Sequence, residues 1–112
     1  MIPDWAKEFG ASITVCDENG VLLYLNEKAR SIFETPENAP LVGKSMFECH
    51  KQASQEMIRA MMATKKPHVY TIEKKGVKKL IYQAPWFEEG TFKGLVEISM
   101  EMPAEVPPHR IR

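Results

Sequence analysis

Apolar positions in the first quarter of the chain come in two short runs, Ile13 to Asp17 and Val21 to Leu25, parted by Glu18-Asn19-Gly20. Such runs around an Asn-Gly pair predict a β-hairpin, because both turn residues tolerate positive φ. Asn26 then stands where a helix from Glu27 to about Glu34 needs its N-cap. Upstream, Pro3 and Gly10 bracket a short helix over Asp4 to Phe9, with Trp5 and Phe9 one turn apart on a face that requires an apolar cover.

The period changes in the middle of the chain. TPENAPLVGKSMFECH holds two prolines and a glycine, so it has room only for helical turns near Glu37–Ala39 and Ser45–Cys49. From Ala53 to Thr64 a helical stripe of Met57, Ile58, Met61 and Met62 sets in, closed by Pro67. The last third returns to strand-like runs, His68 to Lys74, Val77 to Phe87 and Thr91 to Met102, joined by KKG and EEG turns. Alternation groups Leu80, Tyr82, Ala84 and Trp86 on one face of the middle run. It groups Phe92, Gly94, Val96, Ile98 and Met100 on one face of the last. Pro85 inside a strand predicts an edge position or a bulge.

This order, β-β-α-α-α-α-β-β-β, predicts an α+β fold with a five-stranded antiparallel sheet and helices on one face. One helical layer leaves the sheet's other side open, and apolar residues remain for it. Leu23 and Leu25 of the second strand, with Ile81 and Leu95, are expected on that outer side. Trp5 and Phe9, or a second copy of the chain, would cover it, which predicts a homodimer. The expected division is an N-terminal helix over residues 1–10, one domain over 11–103 and a Pro-rich flexible tail over 104–112.

Charge narrows the function classes. Fifteen basic residues balance fifteen acidic ones, so no global field favours nucleic acid or an anionic membrane. Lys74, Lys75, Lys78 and Lys79 cluster around Gly76, which fits a solvated hairpin end better than a nucleic-acid patch. The N-terminus lacks the basic flank and apolar run of a signal peptide, and no apolar stretch approaches the ~20 residues of a membrane span. Cys16 and Cys49 have neither CxxC spacing nor secreted-scaffold density, which predicts reduced thiols in the cytoplasm. Adjacent Cys49 and His50 diverge on a helical turn and have no second ligand pair, so they argue for neither a metal site nor a nucleophile–base dyad. With Glu88-Glu89 and Glu34/Glu37 read as solvated turn residues, enzyme chemistry is the least supported class.

Three segments together resemble the PAS domain family. VCDENGVLLYLNEKARSIF is similar to its opening: an Asp-x-x-Gly turn, a strand ending in Asn, then a short helix. LVGKSMFECH resembles the Gly-Lys/Arg segment that precedes a short helix and a histidine, and GTFKGLVEISMEMP resembles the closing strand. The likeness spans roughly residues 11–103. It implies a sensor that holds a small ligand between sheet and long helix, or a dimerisation platform, signalling to a kinase, cyclase or transcription partner. One departure is the ending Glu101-Met102-Pro103, where Pro103 bars a smooth output helix. Output would then act in trans, or the chain is an excised piece.

The resemblance also lets cofactors be weighed. Flavin-adduct members carry Gly-x-Asn-Cys-Arg-Phe-Leu-Gln, and the position three after Gly43 is Met46 here, so that reading is rejected. Haem members hang an axial histidine on the long helix, and Ala53 to Thr64 has none. The cofactor stays unknown. A small apolar or aromatic ligand remains open, with Tyr24, Met46, Phe47, His50, Met57, Ile58, Met61, Tyr70, Tyr82, Val96 and Ile98 as the expected pocket residues. The competing expectation is a solid core packed with adaptable methionines, and a module that only binds protein.

Overall fold

In the computed structural model, residues 4–46 and 52–112 are described, and one antiparallel sheet organises them. The elements are α1 (Asp4–Lys7), β1 (Ser12–Asp17), β2 (Leu22–Leu25), α2 (Glu27–Phe33), α3 (Gln52–Thr64), β3 (His68–Lys74), β4 (Val77–Glu88) and β5 (Thr91–Glu101). Spatial order is β2-β1-β5-β4-β3, so the N-terminal hairpin docks beside the last strand and the helices fill the crossover between β2 and β3. This is the α+β arrangement expected from the element order. The β3–β4 and β4–β5 connections are two-residue loops, Lys75-Gly76 and Glu89-Gly90, with positive φ at both positions, the twist that antiparallel hairpins require.

Asn26 holds the first third together. Its Oδ1 accepts from Ala29 N and Ile13 N, both at 3.0 Å, and its Nδ2 donates to the Ala6 and Ala11 carbonyls, both at 2.9 Å. The side chain is 1% exposed. Helix capping was expected of it, and the cross-links to α1 and β1 were not. At the other end of β2, Asp17 Oδ1 accepts from Asn19 N at 2.8 Å and Val21 N at 2.9 Å, which closes the turn. The free edge of β2 is covered by the following loop: Leu22 N donates to Lys44 O, Gly43 N donates to Leu22 O, and Val21 bridges Ser45.

Two bulges shift the face assignments made from alternation. In the β1–β2 pairing Val15 faces Tyr24 and Cys16 faces Leu22, so Leu23 is the extra residue. Leu22 and Leu25, three apart, therefore both turn toward the helices and join a core cluster with Cys16, Ala29, Leu41, Ile58, Met61 and Leu95. Leu25 and Leu95, expected on the outer side, belong to the inner one. The second bulge lies between Trp86 and Phe87, beside Pro85 and just past Gln83, where pairing with β3 ends. It brings Phe92 against the core cluster, away from the set in which alternation placed it.

Register fixes the rest. Directly paired residues share a face, so Tyr70, Ile81 and Ser99 align on the helix side, as do His68, Gln83, Glu97 and Thr14. Ile81 is thus also an inner residue, and it is buried. Val69, Tyr82, Ile98 and Ile13 align on the opposite side, with Ala84, Val96, Val15 and Tyr24 in the next row. Tyr24, Tyr82, Val96 and Ile98, expected to face a ligand, are outer-face residues by register. Because both faces carry apolar side chains, alternation sorts residues into two sets without saying which set meets the helices. Leu23 is exposed, and Trp5 and Phe9 pack edge-on at 5.7 Å while both stay exposed.

Asn26→Ala leaves two buried N–H groups and two buried carbonyls without their partner. The expected loss is about 3–5 kcal/mol of unfolding free energy. Urea denaturation followed by circular dichroism measures it, and a loss near zero would deny Asn26 its cross-linking role.

Candidate functional site

A cavity of about 430 Å³ lies between α3 and the inner face of the sheet. Strands β1 and β5 supply its floor through Thr14, Cys16, Leu95 and Glu97, and β4 adds Gln83. The bulge described above places Leu22 and Leu25 along one wall, and α3 brings Ile58 and Met61 over the top. Leu41 and Met46, on the loop that covers the β2 edge, close a further side, while Phe33 and Asn38 stand where α2 gives way to that loop. The volume lies toward the lower end of the range typical of small-molecule sites, and the mainly apolar lining with a few polar groups is their usual character.

The polar groups are concentrated in one cross-strand row. Gln83 Nε2 donates to Glu97 Oε1 at 2.8 Å, and Thr14 pairs with Glu97 on the far side. Thr14 Oγ1 is buried without a hydrogen-bond partner, as is His68 Nδ1 at the other end of the row. Tyr70 lies beside them, its ring 4.9 Å from that of His68. Burial pushes the Tyr70 hydroxyl above the ordinary phenol range and the Glu97 charge adds to it, with Gln83 pulling the other way. Asn38 is committed to its own loop: Oδ1 accepts from Thr35 N at 2.7 Å and Nδ2 donates to Phe33 O at 3.1 Å.

Cys16 is a free, buried thiol on the cavity floor. Burial raises its pKa above 9.0, the ordinary value, against a smaller opposing backbone hydrogen bond from Leu95. A neutral, shielded thiol suits packing and not nucleophilic attack.

Of the residues expected in a pocket, Met46, Ile58 and Met61 border this cavity, as does Val96 although register assigns it to the outer set. Tyr24, Tyr70, Tyr82 and Ile98 do not border it. Phe47, His50 and the side chain of Met57 lie outside the described residues. Thr14, Cys16, Leu22, Gln83 and Glu97 form much of the floor and wall; of these, Cys16 was singled out in the sequence, as a reduced thiol. Leu25 and Leu95, expected to meet a partner, border the cavity instead. Among the described residues no group of three His, Cys, Asp or Glu side chains is placed to hold a metal ion, and no helix is long and apolar enough to cross a membrane.

Residues 7–105 match the protein family described as PAS fold. No curated protein sequence matches the chain. Among solved structures, the PAS domain of BvgS from Bordetella pertussis superposes with a TM-score of 0.66 at 17% identity, over 88% of this chain and 81% of that one. A sensory box sensor histidine kinase from Vibrio cholerae gives 0.65 at 14% identity, over 86% and 85%. The VqmA dimer of Vibrio cholerae, described with LuxR-type receptors, gives 0.68 at 14% identity, over 88% of this chain and 49% of that one. At these identities the likeness is one of fold.

The raised thiol pKa fixes the sign of a pH effect. Above 9.0 the unfolded chain ionises Cys16 while the folded chain resists, so stability is present below that value and is lost as pH rises toward the folded pKa. Denaturation midpoints across alkaline pH are expected to fall, and to fall less steeply in Cys16→Ala. Equal slopes in the two proteins would remove Cys16 from the account.

Proposed function

The chain belongs to the PAS family, and from that premise we propose that it is a sensory module of signal transduction that reads a small, largely apolar molecule held between α3 and the sheet. The observation that carries the reading is the cavity of about 430 Å³ itself, bordered by Leu22, Leu25, Ile58, Met61 and Leu95. A solid core would have filled that space with side chains, since protein interiors pack as densely as organic crystals. A sensor histidine kinase and a LuxR-type receptor among the structural neighbours are consistent with such a role.

A ligand that binds the folded state alone stabilises it by mass action, about 2.7 kcal/mol at a hundredfold excess over its dissociation constant. Native mass spectrometry and an absorption spectrum of freshly purified protein test for a retained molecule. The expected result is a bound mass that Met61→Phe, which fills the cavity from α3, displaces while the circular dichroism spectrum persists. A protein without bound mass, whose melting temperature no member of a small-molecule panel raises, counts against the sensor reading.

A second reading rests on a different observation. Val69, Tyr82 and Met100 are exposed on the outer sheet face at 51%, 42% and 40%, with Leu80 and Ile98 part-buried beside them. Contiguous apolar surface of this kind marks an interaction site. A homodimer through this face, or a signalling partner bound in trans, would cover it. Sedimentation equilibrium is expected to show self-association that Tyr82→Glu abolishes; a wild type that stays monomeric at high concentration rules out the dimer.

A further inference from the structure

The charge carried by the described lining of the cavity is of one sign. Glu97 is the only charged side chain among its described lining residues, none of which is a lysine or an arginine. Among the described residues, the side-chain donor bonded to the Glu97 carboxylate is Gln83, at 2.8 Å on Oε1. An ionised carboxylate offers about four acceptor sites, so most of them stay open. Thr14, paired with Glu97 across β1 and β5, adds a buried hydroxyl oxygen with no partner. The amide of Asn38 is oriented within its own loop by bonds to Thr35 N and Phe33 O. The Cys16 thiol stays neutral in its buried place. The Glu97 carboxylate is therefore the one charged group of the described lining, beside the unpartnered Thr14 hydroxyl, and most of the other lining side chains are apolar.

Resting on the reading that the cavity holds a ligand, we infer that it selects a small nitrogenous molecule, apolar in body, that presents an ammonium or N–H donor to Glu97 and Thr14. An anionic group of the same size would meet the Glu97 charge in a weakly solvated site and leave Thr14 to compensate alone. A hydrocarbon would fill the volume but leave the open sites of the carboxylate and the hydroxyl without partners.

Three probes that differ in a single group test this: benzylamine, toluene and benzoate, titrated while ¹H–¹⁵N correlation spectra are recorded. Benzylamine is expected to bind about tenfold or more tightly than toluene, with benzoate weakest, and to shift the signals of Thr14, Leu95 and Glu97. Glu97→Gln is expected to bring benzylamine to within about threefold of toluene while toluene binding is unchanged. Should that variant fail to fold, Thr14→Val, close in shape to the original, is expected to reduce the benzylamine preference severalfold. Toluene or benzoate binding as tightly as benzylamine, or a preference that survives both substitutions, overturns the inference and leaves the cavity reading standing. Cavity signals that none of the three probes shifts overturn both.

Discussion

The amide of Asn26 is the constraint on which the N-terminal half depends. A carboxamide has two donor hydrogens and an oxygen that accepts two bonds, and all four are used here, in a site with almost no exposure to water. The partners belong to α1, the segment leading into β1, β1 itself and α2. Once Asn26 is fixed, β2 must end where it does, α2 must start on the next residue, and Leu25 must enter the core beside Ala29. Asp17 performs a smaller version of this at the other end of β2, so the wall that Leu22 and Leu25 present to the cavity is held from both ends.

Much of this was legible in the sequence because the signals are local. The Asn19-Gly20 turn, the Asn26 cap, the methionine stripe of α3 and the two glycine-bearing hairpin loops each depend on residues within a few positions of one another. Strand and helix positions followed from them to within a few residues. Ile58 and Met61 reached the cavity because helical spacing is insensitive to what happens elsewhere. Family membership was legible for a related reason: three local patterns in a fixed order spanned nearly the whole domain.

What escaped was the orientation of the sheet, a non-local property. A period of two sorts a strand into two sets, but only contact with a helix says which set lies inside. Here the expected inner set included Tyr24, Tyr82 and Ile98, and the structure turns these to the outer face. The inner set contains Thr14, Gln83 and Glu97, polar residues that counted against it on hydrophobicity and that border the cavity. Each bulge then reverses the parity of the residues beyond it, which is why Leu22 and Leu25 share a side and Phe92 leaves its expected group. Neither bulge has a sequence signature apart from Pro85, close to the second.

The same alternation ties the two faces of the sheet to each other mechanically. Along β1 and β5, Cys16 and Leu95 floor the cavity while Val15 and Val96, one residue away and paired with one another, belong to the outer set. Cys16 carries both connections in one residue. Its side chain borders the cavity, and its carbonyl accepts a 3.1 Å hydrogen bond from Trp86 Nε1, a residue that register places with Tyr82 and Ala84. That bond reaches past Gly94, whose φ of 149° and lack of a side chain let β5 lie close to β1: a Cβ there would stand 2.0 Å from the Cys16 oxygen. Main chain that close has little room to absorb a shift of the floor within β1. One carbonyl thus joins the floor of the cavity to the indole on the opposite face.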